Sequence, residues 1–379
     1  MAMERLFQLM KEKNASDMFF AVNSPVHLKI NGNLIPINQQ KLEPDNIGSL
    51  LAEICSPAQL DELERDNELN MGISVPNLGR FRLSAFRQRG TISAVFRFVP
   101  GNIPALAELG LPSILAELIM EKRGLMLVVG STGSGKSTTI ASMLDHRNEL
   151  RSGHILTLED PIEYLFKNKR SIVNQREIGS DAKDFHTALR NSMRQAPDCI
   201  LIGEIRDKET MGAALAYAQS GHLVLATLHA NNSYNALNRI ISFYPIDNRA
   251  SLLQDLSSSV KAIISQRLVR SLHGGARTAA VEIMVNTRHV SDLIEQGDIA
   301  QIKEAIEKSM SPGSQSFELA LLKLVQDGVI SQEEALANAD SATNLLWLLN
   351  NGPDSKNAQA EAAAQPAAEA SFTEFTLDT

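Results

Sequence analysis

Between Met3 and Met10 the apolar residues Met3, Leu6, Phe7 and Met10 recur at helical spacing, which predicts an amphipathic helix at the start of the chain. Short alternating segments follow: MFFAV, VHLKI and LIPI. Asn31-Gly32-Asn33 between the last two is a hairpin signal, because Asn-Gly readily adopts the left-handed conformations of tight turns. A helical stretch around Ile47–Cys55 and the strands ISV, RFRLSAF and AVFRFV complete an α+β unit over residues 1–99. VPGNIP then marks a linker, placed at residues 100–110.

Beyond it the texture changes. The runs LMLVVG, HILTLED, CILIGE and HLVLATLH are continuously apolar and alternate with helical stretches. They predict a parallel sheet covered by helices on both faces, within a second unit over residues 111–350. After Pro245 the pattern reads as largely helical up to Leu349. Residues 351–379 are rich in alanine and acids, with Asp354, Glu361, Glu369, Glu374 and Asp378 against Lys356 alone. That composition predicts a disordered tail.

Composition narrows the function classes. The 379 residues carry a formal charge of −8, half of it in the tail, which argues against global attraction to nucleic acid or anionic lipid. Cys55 and Cys199 are too few for a four-thiolate zinc site or a disulfide framework. No run approaches the roughly 20 apolar residues that span a bilayer, so a soluble cytoplasmic protein is expected.

The strongest chemical signal is Gly130-Ser131-Thr132-Gly133-Ser134-Gly135-Lys136-Ser137, a full GxxxxGK[ST] match followed by Thr138. It follows an apolar strand and precedes a helix, as phosphate binding requires. The glycines let successive N–H groups face an anion, and the helix N-terminus adds positive potential. Lys136 would reach the β- and γ-phosphates of a nucleotide, and the Ser137 hydroxyl would ligate Mg²⁺. Glu204 ends the strand CILIGE, where a metal-bound water needs a base; Gly203 stands where an aspartate is usual. Glu159, Asp160 and Glu163 cluster after another strand and need either a cation or several N–H donors to balance them. His222 and His229 flank LVLATL; seven residues apart on an extended chain, they begin on opposite faces, which argues against a shared metal.

Taken in order, GSTGSGKST, LTLEDPIEY, LRNSMRQAPDCILIGEIRD and GHLVLATLHAN resemble the Walker A motif, Asp box, Walker B motif and His box of the secretion-ATPase superfamily. Within it the chain is most similar to the retraction branch, the PilT/PilU twitching motors of type IV pili. The resemblance implies a PAS-like N-terminal domain joined to a RecA-like ATPase domain in a ring of six. It implies Glu163 and Glu204 as catalytic acids, with Glu204 acting on Mg²⁺ through water, and His222 and His229 as the phosphate-sensing His box. It also implies arginines that reach ATP across a subunit interface; Arg80, Arg82, Arg87, Arg89 and Arg97 are the candidates, with Arg82 and Arg97 preferred. The implied partners are a companion retraction ATPase and the platform protein of the inner membrane, with peripheral attachment at the pilus base.

Two departures refine this. The two isolated cysteines cannot make the zinc insertion usual in assembly motors. Where retraction motors read AIRNLIREG, this chain reads HVSDLIEQG at His289–Gly297, replacing two arginines by Ser291 and Glu295. With the acidic tail, that fits the accessory, PilU-type branch. A nucleotide-gated scaffold that docks a partner motor without its own turnover is the alternative. A helicase reading lacks support because the acidic chain shows no basic–aromatic stripe, and a GTPase reading lacks it because Asn168–Ser171 reads NKRS rather than the NKxD base-reading motif.

Overall fold

The computed structural model describes residues 2–351 apart from Asn31, Pro100, 273–276 and Met310. Apart from Asn351, which ends the last helix, the tail expected over 351–379 lies outside the described residues.

Two sheets organise the chain. The first runs β3-β2-β1-β6-β5-β4, from β1 (Asp17–Phe20), β2 (His27–Ile30), β3 (Asn33–Pro36), β4 (Glu68–Val75), β5 (Gly79–Gln88) and β6 (Thr91–Val99), every neighbouring pair antiparallel. Gly32, at φ 85°, lies in the expected hairpin between β2 and β3. Helices α1 (Ala2–Glu12), α2 (Pro44–Ala52) and α3 (Pro57–Asp66) accompany it, and α3 was not foreseen. Met3, Phe7 and Met10 of α1 are buried, as their spacing requires, and the Phe7 ring stacks on Phe81 of β5 at 4.1 Å. Alternation on β5 buries Phe81, Leu83 and Ala85, leaving Arg80 and Arg82 on the opposite face.

The second sheet has the order β13-β12-β7-β11-β10-β8-β9. Its strands are β7 (Gly124–Val129), β8 (Gly153–Glu159), β9 (Ser171–Glu177), β10 (Cys199–Ile202), β11 (Leu223–Leu228), β12 (Val260–Arg270) and β13 (Arg277–Val285). All pair in parallel except β13, which runs antiparallel to β12. The four apolar runs of the sequence are β7, β8, β10 and β11, and every residue of β7 and β10 is buried. The expectation of a largely helical chain after Pro245 is corrected: β12 and β13 are the sheet's longest strands. Buried Ser265 and Gln266 interrupt the apolar pattern of β12 because each side chain has a partner: Ser265 donates to Glu282 on the neighbouring strand β13, and Gln266 accepts from Thr139 of the helix that follows the glycine-rich loop.

Helices α4 (Ile114–Leu118), α5 (Lys136–Leu150), α6 (Phe185–Ser192), α7 (Lys208–Gln219), α8 (Ser233–Ser242) and α9 (Arg249–Ser259) connect and cover these strands. The chain continues through α10 (Arg288–Gln296), α11 (Ile302–Glu307), α12 (Phe317–Gln326), α13 (Gln332–Asn338) and α14 (Ala342–Asn351). Separate apolar clusters lie on the two faces of the second sheet, as a doubly covered parallel sheet demands. No helix among the described residues is long and apolar enough to cross a membrane.

Candidate active site

Parallel strands deliver their carboxyl ends to one edge of the sheet, and that is where the motif residues gather. The register pairs Val129 with Leu228, Ile202 with Ala226 and Leu158 with Ile202. The loops after β7, β8, β10 and β11 therefore open side by side onto a cavity of about 720 Å³. Thr132, Gly133, Gly135, Lys136, Ser137, Thr138, Glu159, Glu163, Glu204 and His229 all line it.

The glycine-rich loop is shaped for an anion. Gly130, Gly133 and Gly135 have φ of 151°, 77° and 91°, a region that disfavours side chains. A Cβ on Gly130 would lie 2.5 Å from the Gln266 carbonyl oxygen, and one on Gly135 would lie 2.7 Å from Gln266 Nε2. Gly135 caps α5, so the first N–H groups of that helix open toward the cavity. The Ser134 hydroxyl is buried without a hydrogen-bond partner. Lys136 Nζ donates to the carbonyls of Gly130 and Ser131, both at 2.8 Å. Burial lowers the Lys136 pKa, opposed by the charges of Glu204 and Glu163. A half-buried cation facing two carboxylates, with two of its three N–H groups resting on its own loop, has one donor left for phosphate. These features fit a nucleoside triphosphate.

Glu204 is held at both oxygens. Oε2 accepts from Arg206 Nε at 2.7 Å, and Oε1 lies 3.3 Å from His229 Nε2. Beneath it, the Gly203 N–H donates to the Leu158 carbonyl at 2.8 Å, and the Ile205 N–H donates to the Thr227 carbonyl at 2.9 Å. A Cβ on residue 203 would lie 2.9 Å from the Leu158 oxygen and 3.3 Å from the Glu159 Cα. The strands β8 and β10 approach too closely for the usual aspartate, which accounts for that departure in the sequence.

The three carboxylates at the end of β8 all line the cavity, but each has different surroundings. Glu159 accepts from the Thr157 hydroxyl at 2.6 Å and from Gln175 Nε2 at 3.2 Å. Its pKa is raised, chiefly by burial. Asp160 lies 3.9 Å from Arg206, and Glu163 lines the cavity. Among the described residues no group of three or more His, Cys, Asp or Glu side chains could hold a metal ion. The Thr157 hydroxyl and the Gln175 amide supply donors to Glu159. A magnesium ion held by the Ser137 hydroxyl and the substrate's own phosphates does not require such a group.

The two histidines part company. His229 is in the cavity, whereas His222 precedes the amino end of β11, where Gly124 N–H donates to its carbonyl at 3.0 Å and its ring packs beside Tyr217 at 6.2 Å. His222 does not line the cavity of its own chain. The preferred arginines are neighbours: Arg82 and Arg97 are cross-strand partners on β5 and β6, and Arg97 in turn pairs with Asp17 of β1. Arg97 lines the cavity with its Nε 2.7 Å from Asp17 Oδ1; Arg82 does not line it.

Sequence reasoning missed several residues here. Tyr164 bonds its hydroxyl to that of Thr138 at 2.8 Å. Arg206 had a signal, two positions after Glu204 in GEIRD. Leu268 and Arg277, which line the cavity from β12 and β13, had none, because those strands were themselves unforeseen.

A family model described as type II/IV secretion system protein matches residues 2–305. The chain is 44% identical over 355 residues to the type IV pilus ATPase PilU of Pseudomonas aeruginosa, covering 94% of this chain and 93% of that one. To PilT of the same organism, a type IV pilus retraction ATPase, it is 38% identical, covering 91% of this chain and 100% of that one. Among solved structures, the pilus retraction motor PilT with bound ADP aligns with a TM-score of 0.83 at 38% identity, covering 89% of this chain and 96% of the other. The Legionella pneumophila ATPase DotB aligns at 0.78 and 28% identity, covering 88% and 94%. Motif order, strand-end geometry and similarity along nearly the whole chain agree, and the chain belongs to the type II/IV secretion ATPase family, within its pilus-motor branch.

Proposed function

We propose that this chain is an ATP-hydrolysing motor of the type IV pilus machinery that assists retraction and twitching motility as a PilU-type accessory. The observation that carries this is the meeting of Lys136, Glu163, Glu204 and His229 around one cavity, in a chain 44% identical to a pilus ATPase along 94% of its length.

Catalysis of this kind is mostly positioning and charge neutralisation. The glycine-rich loop and Lys136 bind the phosphates; Glu204, steadied by Arg206 and His229, and Glu163 orient the attacking water. Ser137 would hold Mg²⁺, which supplies neutralisation of phosphate charge, with Glu204 reaching it through water. Arg97, which lines the cavity of its own chain, brings positive charge toward the phosphates from a PAS-like domain, and its neighbour Arg82, which does not line it, is left to reach across a subunit interface when six chains close a ring. The RecA-like domain then supplies the chemistry and the ring the motion. The reading places the protein in the cytoplasm, peripherally at the inner membrane beside a PilT-type companion and the platform protein.

Steady-state ATP hydrolysis by the purified chain, with and without Mg²⁺, tests it. Lys136→Ala is expected to abolish tight ATP binding. Glu204→Gln is expected to keep binding and lose about 10²-fold or more in turnover. A wild-type chain without magnesium-dependent hydrolysis would favour the scaffold alternative instead.

A further inference from the structure

Glu177 ends β9 and is 2% exposed. Its Oε2 accepts from Arg80 Nη2 of β5 at 2.7 Å and from the Ile162 N–H at 3.0 Å. The Ser180 hydroxyl donates to Oε1 at 3.3 Å. Ile162 immediately precedes Glu163. One carboxylate oxygen thus holds both an arginine of the first sheet and the backbone of the loop that carries a candidate catalytic acid.

The reach of Arg80 depends on a missing side chain. A Cβ on Gly72 of β4 would lie 2.2 Å from Arg80 Nη2 and 2.7 Å from Glu177 Oε1. The ion pair it permits is nearly dry, with side chains 13% and 3% exposed. Withdrawing one partner from such a pair leaves a buried charge uncompensated, so the remaining donors must rearrange around it. Among those donors, the Ile162 N–H belongs to the catalytic loop. The contact is also discrete: an Arg80 that moves away with its sheet loses the bond outright, which is the kind of two-state element a motor needs.

We propose that Glu177 is a positioning residue that couples docking of the first sheet, through Arg80, to the placement of Glu163. The proposal rests on the reading of Glu163 as a catalytic acid. Hydrolysis is then fast only while Arg80 occupies Glu177, and each displacement of the first sheet slows the chemistry of the same chain.

The test uses the full chain with magnesium ATP and three variants: Gly72→Ala, Arg80→Ala and Glu177→Gln. Each should lower kcat about ten- to a hundredfold, the cost of misplacing a catalytic group by about 1 Å. KM for ATP should stay within about twofold, since the phosphate loop is untouched. Arg80→Lys should recover part of the loss. In a Glu163→Gln background Arg80→Ala should lower kcat no further, because its effect passes through Glu163. Gly72→Ala alters no charged group and carries the test even where Glu177→Gln fails to fold. Wild-type kcat in Gly72→Ala and Arg80→Ala, beside a large loss in Glu163→Gln, would overturn the proposal alone. So would a full Arg80→Ala effect persisting in the Glu163→Gln background, because the effect would then bypass Glu163. An unchanged kcat in Glu163→Gln would remove the catalytic reading of Glu163 and the proposal with it.

Discussion

Single residues were legible where their chemistry is local. The glycine-rich loop, Lys136, Ser137 and Glu204 belong to contiguous motifs, and parallel strands necessarily bring such motifs to one edge. His222 and His229 show where local reading stops: the sequence gives both as ends of one strand, but only one of those ends meets the cavity. Arg80 and Glu177 are 97 positions apart, and neither belongs to a motif, so their pairing could not be read from the chain. Gly203 lies between these cases. The sequence shows that it replaces an acid, and the structure shows why, since β8 leaves no room for a Cβ. Gly203→Ala must therefore push β10 away from β8 or distort the turn into Glu204. We expect a loss of about 1–3 kcal/mol in stability together with reduced turnover, read by thermal unfolding and ATP hydrolysis on the same sample. A stable, fully active Gly203→Ala would mean that the close approach relaxes at little cost.

At the scale of elements, apolar runs identified β7, β8, β10 and β11, whose side chains are buried on both faces. Edge strand β9 and the pair β12–β13 escaped, because their polar residues are satisfied by partners far away in the chain. Glu282 on β13 is the clearest instance. It is 3% exposed, and its Oε1 accepts from the Ser233 N–H at 2.8 Å, the Ser233 hydroxyl at 2.7 Å and the Ser265 hydroxyl at 3.0 Å. This ties β12, β13 and the start of α8 together. Burial nevertheless raises the Glu282 pKa, with Asp340 adding to the effect. A carboxylate with a raised folded-state pKa penalises the fold once pH exceeds its ordinary range and is harmless when protonated. Glu282→Gln keeps a carbonyl oxygen for all three donors and removes the charge. It should raise the melting temperature at neutral to alkaline pH, with the gain vanishing as pH falls to the usual glutamate range. Melting temperatures of both proteins across pH provide the check; a gain that persists in acid would assign it to something other than charge.

For the molecule as a whole, the question is which surface meets a partner. Helix α10 packs inward through Val290, Leu293 and Ile294. Its outer positions include the two residues that depart from the arginines of retraction motors. They are not equivalent: the Ser291 hydroxyl donates to the Ser257 carbonyl of α9 at 3.0 Å, whereas Glu295, one turn on, is exposed. An arginine at 291 would have to leave that carbonyl and extend outward, beside residue 295 on the same face. The substitution changes this face by three charge units, from +2 to −1. A surface that docks an acidic partner could not keep that partner after such a change, because like charges brought together resist association and alter its rate. The prediction is that this chain cannot replace a retraction motor outright and works beside one. Expressed alone in cells lacking both motors, it should fail to give full-force retraction, and restoring the companion should recover it. The double variant Ser291→Arg, Glu295→Arg should gain independent retraction if charge on this face is the cause. Full-force retraction by the unmodified chain alone would overturn the accessory role, while an inert double variant would move the cause of dependence away from α10.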